Sequence, residues 1–270
     1  MAFVDRDGIR LHWDEQGEGT PVLLIMGHRF SSRMWYPLLP ELAAKHRVVF
    51  FDNRGSGQSG TPTQTTVGEM AEDAVAVMDA AGIDQAHIYG ASMGGGIAME
   101  LAMNNPERVT SLTLGCTAIA TPELRKPPIG RLLRWLPFLL IAKLRNNLLY
   151  GPACPADARA HDEAVLAQEV VNPVGVRVQA AAVKSYRTSL QAAARLDMPA
   201  LVLHGTKDFV VPHFLGEEIA NTLPNSRLVS FEGAGHSYIV AAKQESNAAV
   251  IDFLDEVDRA RTTTEAARAS

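Results

Sequence analysis

Short apolar runs, each bounded by polar or glycine residues, alternate along this chain with stretches of helical periodicity, and nothing else limits its fold as strongly. Residues 22–26 (VLLIM) and 47–52 (RVVFFD) are nearly unbroken in apolar character, the pattern of strands buried on both faces of a parallel sheet. Residues 9–15 alternate as a half-wetted strand does, and 35–45 are long enough for a helix. Thr66-Val67-Gly68-Glu69 has the form of a capping box, opening a helix with apolar residues at 67, 70, 71, 74, 77 and 78; Gly82 is placed to end it. A strand at 86–91, a helix at 93–104 and a strand at 109–115 follow. The rhythm returns later with a strand at 200–204, a helix near 212–222, a strand at 228–231 and a helix around 245–257. Such alternation predicts an α/β fold: a mostly parallel, doubly wound sheet with helices on both faces.

Between 121 and 195 the alternation stops. This stretch carries helical patches, seven prolines (122, 127, 128, 137, 152, 155 and 173) and no convincing strand. It reads as a helical insertion into a core built from residues 1–120 and 196–260. The small, polar residues 261–270 read as a flexible tail.

The chain has 270 residues, enough for one large domain or one domain with an insertion. Its net charge of −5 argues against a general nucleic-acid binder. The start, MAFVDRDGIR, lacks the basic-then-apolar form of a secretory leader. The longest apolar stretch, 132–142, contains Arg134 and Pro137 and is shorter than the roughly 20 residues a bilayer demands. Two cysteines, Cys116 and Cys154, form no motif. A reducing cytoplasm is the simplest setting for them.

Tyr89-Gly90-Ala91-Ser92-Met93-Gly94-Gly95-Gly96 places a G-x-S-x-G sequence between an expected strand and an expected helix. A serine at the tip of a sharp strand-to-helix turn needs small neighbours at 90 and 94, because side chains there would clash. The turn lifts the hydroxyl off the sheet and aims backbone N–H groups of the helix start at nearby negative charge. A bare match arises by chance in roughly one chain of this size in ten, so the strand-before, helix-after context carries the weight.

Serine becomes a useful nucleophile when a base takes its proton, and histidine is the usual base. Eight histidines are present. His12, His46, His87, His161, His204 and His213 lie in or beside predicted elements or in the insertion. His236 instead ends Glu232-Gly233-Ala234-Gly235-His236, a small-residue loop after the last strand, from which an imidazole can face a pocket. The orienting acid is expected in a loop at the carboxyl end of a strand, where open parallel sheets gather their sites. Asp208, in Leu203-His204-Gly205-Thr206-Lys207-Asp208, meets that condition; Asp52, also at a strand end, is the alternative.

With these residues in view the chain resembles the α/β-hydrolase superfamily, in particular its small bacterial esterase, enol-lactonase and cofactor-free haloperoxidase branch. The stretches that carry the resemblance are LLIMG (23–27), SSRMW (31–35), DNRGSGQS (52–59), YGASMGGG (89–96), NPERV (105–109), LVLHGTKD (201–208) and GAGHS (233–237). They span nearly all of the chain outside 121–195. The resemblance implies a catalytic triad of Ser92, Asp208 and His236, in the chain order that fold uses. It also implies an oxyanion hole formed by the backbone N–H groups of His28 and Met93. Met26-Gly27-His28 stands where the family has His-Gly-Phe, and Arg29 and Phe30 replace expected glycines. That departure raises the expectation that Arg29 reaches a substrate carboxylate or the insertion.

The resemblance makes 121–195 a lid. Its segment 130–149 mixes Leu, Ile, Trp and Phe with Arg131, Arg134, Lys143 and Arg145. An apolar side that lines the substrate pocket, with Arg29, Phe30 and Trp135 as candidate lining residues, is the stronger reading. An amphipathic surface that touches lipid is the weaker one. Gly55-Ser56-Gly57-Gln58-Ser59-Gly60 matches a dinucleotide fingerprint, but Thr61-Pro62-Thr63-Gln64 cannot continue the required helix. Without a metal motif either, no cofactor and no metal are called for. The expected partner is a small, hydrophobic ester or lactone, with no nucleic acid and no membrane contact. Cofactor-free perhydrolysis and carbon–carbon bond hydrolysis on the same triad are the alternatives, and a hydrolase-like ligand receptor is the non-enzymatic one.

Overall fold

The computed structural model describes residues 2–119 and 149–269, without the side chains of 265 and 267–269. Eight strands are present among them: β1 (Ala2–Arg6), β2 (Ile9–Gln16), β3 (Pro21–Ile25), β4 (Arg47–Phe51), β5 (Ala86–Ala91), β6 (Val109–Gly115), β7 (Ala200–Gly205) and β8 (Ser226–Phe231). They form one sheet in the order β1-β2-β4-β3-β5-β6-β7-β8. The β1–β2 and β2–β4 pairs are antiparallel; every other pair is parallel. The described helices are α1 (Leu39–Leu42), α2 (Val67–Ala80), α3 (Met93–Asn104), α4 (Ala156–Leu166), α5 (Pro173–Ser185), α6 (Leu190–Ala193), α7 (Phe214–Thr222), α8 (Tyr238–Ala241) and α9 (Lys243–Ala269).

Period-two alternation sorts the central strands between two apolar layers. Leu23, Ile25 and Ile88 pack with Met70, Val77, Ile97 and Leu101 of α2 and α3. Their strand neighbours Leu24, Tyr89 and Leu201 pack on the opposite face with Trp35, Phe253 and Leu254. Every residue of β5, β6 and β7 is buried, which is why those segments carry almost no charge. Fully burying one such Leu or Ile contributes about 1.5–3 kcal/mol.

α2 opens as the sequence implies: the Thr66 hydroxyl accepts from the Glu69 N–H, and the Glu69 carboxylate accepts from the Thr66 N–H. The expected helix at 35–45 is reduced to a 3-10 turn at Ser32–Trp35 and the single turn α1. Pro37 and Pro40 each remove an N–H that a longer helix would need. β1 was not foreseen from the sequence; it pairs with β2 through the tight turn Asp7-Gly8, where both residues have positive φ (50° and 76°). The last helix runs to Ala269, through the stretch whose composition suggests a loose tail. Arg261 fastens it there, its guanidinium donating to the Thr110 hydroxyl and the Gln85 side-chain carbonyl at 2.5 and 2.8 Å.

Within the insertion, the described residues 149–195 hold α4, α5 and α6 and no strand. The expectations placed on 120–148, including Trp135 and most of the basic apolar segment, lie outside the described residues. Among the described residues no helix is long and apolar enough to cross a membrane.

Candidate active site

The carboxyl ends of β5, β7 and β8 lie along the same edge of the parallel sheet, and the three loops that leave them meet there. β5 ends in the Ser92 turn. Ser92 has φ 55° and ψ −119°, a strained conformation for a residue with a side chain, and it directly precedes α3. The glycines make room for it: a Cβ at 90 would collide with the Gly94 carbonyl, and one at 94 with the Ile25 carbonyl. The turn is tied down on two sides. The Ser92 N–H donates to the Gly115 carbonyl at 2.8 Å, and the Thr117 hydroxyl donates to the Ser92 carbonyl at 2.7 Å.

The Ser92 hydroxyl is left facing His236, with Oγ 3.1 Å from Nε2. On the other side of the ring, Nδ1 lies 2.7 Å from Asp208 Oδ2. The carboxylate is buried. Its second oxygen accepts from the Val210 and Val211 N–H groups at 2.8 and 2.9 Å, so the loop after β7 wraps its own acid. His204, wholly buried at the end of β7, stands behind it. Its Nε2 is 2.8 Å from the Val211 carbonyl and 3.4 Å from Asp208 Oδ2. Both neighbours are acceptors, so Nε2 carries the proton.

These surroundings set the ionisation. Burial alone would push the Asp208 carboxyl up, but the His236 charge and hydrogen bonds from His204, His236 and Val211 outweigh it and hold the pKa at about 2. Burial likewise opposes charge on His236. The Cys116 sulfur and the Asp208 carboxylate beside it outweigh that effect and raise the imidazole well above its ordinary value. The carboxylate beside the ring thus stabilises a positive charge on it, the charge that proton removal from Ser92 would create.

The loop after β3 passes next to this group. A Cβ on Gly27 would sit 3.1 Å from the Ser92 Cβ, so a side chain there would press on the serine by a few tenths of an ångström. The following N–H, of His28, has no acceptor among the described residues. Met93, as the first residue of α3, has no intrahelical acceptor for its N–H. The His28 ring turns away, its Nε2 2.8 Å from the Val176 carbonyl of α5. Arg29 is in the left-handed region (φ 72°) and exposed, with its guanidinium 5.1 Å over the Phe30 ring.

Asp52, the alternative acid, is engaged elsewhere. It is buried and accepts from the Ser32 N–H and hydroxyl, from the Gln58 N–H and from His12 Nδ1, at 2.8–3.0 Å. It organises the loop 52–60, where Gly55 N–H donates back to the Gly60 carbonyl and no helix begins before Val67. Glu169 and Asp162, between β6 and β7, were not singled out from sequence, yet both grip this region. Glu169 accepts from both the N–H and the hydroxyl of Ser31 at 2.8 Å, and Asp162 accepts from the Tyr36 and Tyr150 hydroxyls at 2.8 and 2.6 Å. Long-range pairing of this kind leaves no local signal. Among the described residues no group of His, Cys, Asp or Glu is arranged to hold a metal ion.

A family model described as the alpha/beta hydrolase fold matches residues 20–153, and one described as a TAP-like protein matches 174–265. A protein of Azorhizobium caulinodans provisionally named carbamate hydrolase RutD is 30% identical over 265 residues, covering 96% of this chain and all of that one. The enol-lactonase of Burkholderia xenovorans LB400 superposes with a TM-score of 0.79 at 25% identity, covering 94% of this chain and 100% of its own. The non-heme bromoperoxidase, again provisionally named, BpoC of Mycobacterium tuberculosis superposes at 0.80 with 30% identity, covering 92% and 96%. The chain belongs to the α/β-hydrolase superfamily, and its relatives are hydrolases and their near kin.

Proposed function

We propose that this protein is a serine hydrolase that cleaves an ester or lactone bond of a small, apolar substrate through an acyl-enzyme. The observation that carries the reading is the continuous relay from the Ser92 hydroxyl through His236 to Asp208, with contacts of 3.1 and 2.7 Å. His236 takes the Ser92 proton as Oγ attacks the carbonyl carbon. The N–H groups of His28 and Met93 hold the oxygen of the tetrahedral intermediate, an interaction in which loss of one donor typically costs about 10²–10³ in rate. Asp208 fixes the imidazole tautomer and balances its charge. His236 then protonates the leaving oxygen and takes a proton from water; the hydroxide attacks the acyl carbon, the bond to Oγ breaks, and His236 returns its proton to Ser92.

Residues 121–195 serve as the lid in this reading, with Arg29 and Phe30 bordering the pocket; Trp135, the third candidate, lies outside the described residues. The likeness to an enol-lactonase supports the bond type, and the provisional name of the Azorhizobium relative adds carbamates to the panel worth testing. The likeness to BpoC favours a second reading, perhydrolysis, in which hydrogen peroxide in place of water attacks the acyl-enzyme to give a peracid.

A fluorophosphonate probe and a panel of p-nitrophenyl esters, lactones, carbamates and dienones test the proposal, each run beside Ser92→Ala. Labelling at Ser92 and turnover that vanishes in the variant are expected. Absence of Ser92-dependent turnover on the whole panel would leave a ligand receptor in its place.

A further inference from the structure

The oxyanion loop is held from outside the core, by α5 of the insertion. Gln179 on that helix has no exposed surface, and its side chain makes three hydrogen bonds. Its carbonyl oxygen accepts from the Arg29 N–H at 2.8 Å. Its amide nitrogen donates to the Arg54 carbonyl and to the Ser56 hydroxyl, both at 2.9 Å. One side chain thus joins the loop after β3 to the loop after β4. A buried amide with both N–H groups and its carbonyl engaged resists rotation, because any turn strands a polar group.

The helix is placed closely enough to act this way. Asn172 caps it by accepting from the Val174 and Gly175 N–H groups, and its own amide reaches the Thr61 hydroxyl at 2.8 Å. Gly175 then meets Gly55 backbone to backbone: a Cβ on Gly55 would come 2.9 Å from the Gly175 Cα, and one on Gly175 would collide with the Gly55 carbonyl. Four residues on, and so on the same face, stands Gln179. One turn of the same helix offers the Val176 carbonyl to the His28 ring at 2.8 Å.

We infer that Gln179 is a positioning residue for the oxyanion hole: by fixing the Arg29 N–H while Val176 fixes the His28 ring, α5 sets the direction of the His28 N–H. The inference rests on the hydrolase reading above. His28 is held at its ring and at the peptide that follows it, so the N–H that precedes it has little freedom left. Arg29 keeps a left-handed backbone without being glycine, a conformation that persists where neighbours over-determine it.

The test measures kcat and KM for p-nitrophenyl acetate, and the inhibition constant of phenylboronic acid, in wild type, Q179L and Q179E. The boronate forms a tetrahedral adduct on Ser92 and reports the oxyanion contacts; KM reports ground-state binding. Q179L is expected to lose about 10–100-fold in kcat, short of outright loss of a donor. Its boronate affinity should fall in step while KM stays within threefold. Q179E keeps an oxygen for the Arg29 N–H but sets a second one against the Arg54 carbonyl, so it should recover part of the loss. A folded Q179L with kcat within twofold of wild type, or a loss confined to KM, overturns the inference. If Q179L does not fold, amide exchange in the wild type decides: the Arg29 N–H should be protected like a helix amide, and free exchange overturns it. Wild type that neither hydrolyses the ester nor binds the boronate sinks the hydrolase reading and this inference with it; an active wild type with an indifferent Q179L sinks only this one.

Discussion

Ser92 and His236 are separated by 144 positions in the chain and by 3.1 Å between hydroxyl and imidazole. No covalent or helical link joins them. Ser92 is held by Gly115 at the end of β6 and by Thr117 just beyond it. The His236 loop is held by its own turns and by the loop after β7, where Lys207 N–H donates to the Ala234 carbonyl at 2.8 Å and the Thr206 hydroxyl accepts from the Gly233 N–H at 2.9 Å. The distance that matters for chemistry is therefore set by several separate contacts in the loops at the ends of β5, β6, β7 and β8.

Asp208→Asn tests the orienting acid. The amide can hold the ring but presents a donor where an acceptor stands, and it removes the balancing charge. We expect kcat on p-nitrophenyl acetate to fall by about 10³–10⁴, as in comparable triads, with the fold retained. A fall of less than tenfold would remove Asp208 from the mechanism.

The raised pKa of His236 fixes the acid limb of the pH profile. The base works when neutral, so kcat/KM should rise with pH through the elevated value, with a midpoint above the roughly 6.5 of an ordinary histidine. The same shifts act on stability. His236 contributes fully below its unfolded value, and that contribution is lost as pH rises through the folded one. Asp208 contributes above its unfolded value near 3.8, and that is lost as pH falls toward about 2. Thermal melts across pH 2–9 check both signs and rate profiles across pH 4–9 check the first; an acid limb at or below 6 would contradict the charge pair.

Gly90→Ala should damage fold and activity together. The added methyl meets the backbone carbonyl of Gly94, which cannot rotate away as a side-chain tip could. Overpacking of this kind costs about 1–3 kcal/mol, and the displaced Ser92 turn should lower kcat as well. Urea denaturation with a parallel assay measures both, and an unchanged midpoint would show that the turn has slack.

Arg29→Ala bears on substrate charge. The guanidinium is exposed, stacks on Phe30, and has no carboxylate partner among the described residues. If it binds an anionic substrate, the variant should raise KM for a carboxylate-bearing ester several-fold while leaving a neutral ester unchanged. An unchanged ratio of the two constants assigns Arg29 to the surface.

Much of this was written in local sequence. The apolar runs at 86–91, 93–104 and 109–115 match their elements to the residue, because buried parallel strands and glycine-led helices impose composition on every position. The positions of Ser92 and of the small-residue loop before His236 could be read for the same reason: steric demands within a few residues exclude most side chains. Pro37 and Pro40 already forbade the helix that length alone suggested at 35–45. What the tertiary structure decided was pairing. Asp52 and Asp208 both follow strands, and only the sheet order brings one of them to His236 while Ser32, His12 and Gln58 occupy the other. Gln179 sits in VGVRVQAAAV with nothing to mark it, since its partners Arg29, Arg54 and Ser56 are more than a hundred residues away. Sequence records what a residue demands of its neighbours along the chain; contacts across the chain exist only once the sheet has closed the distance.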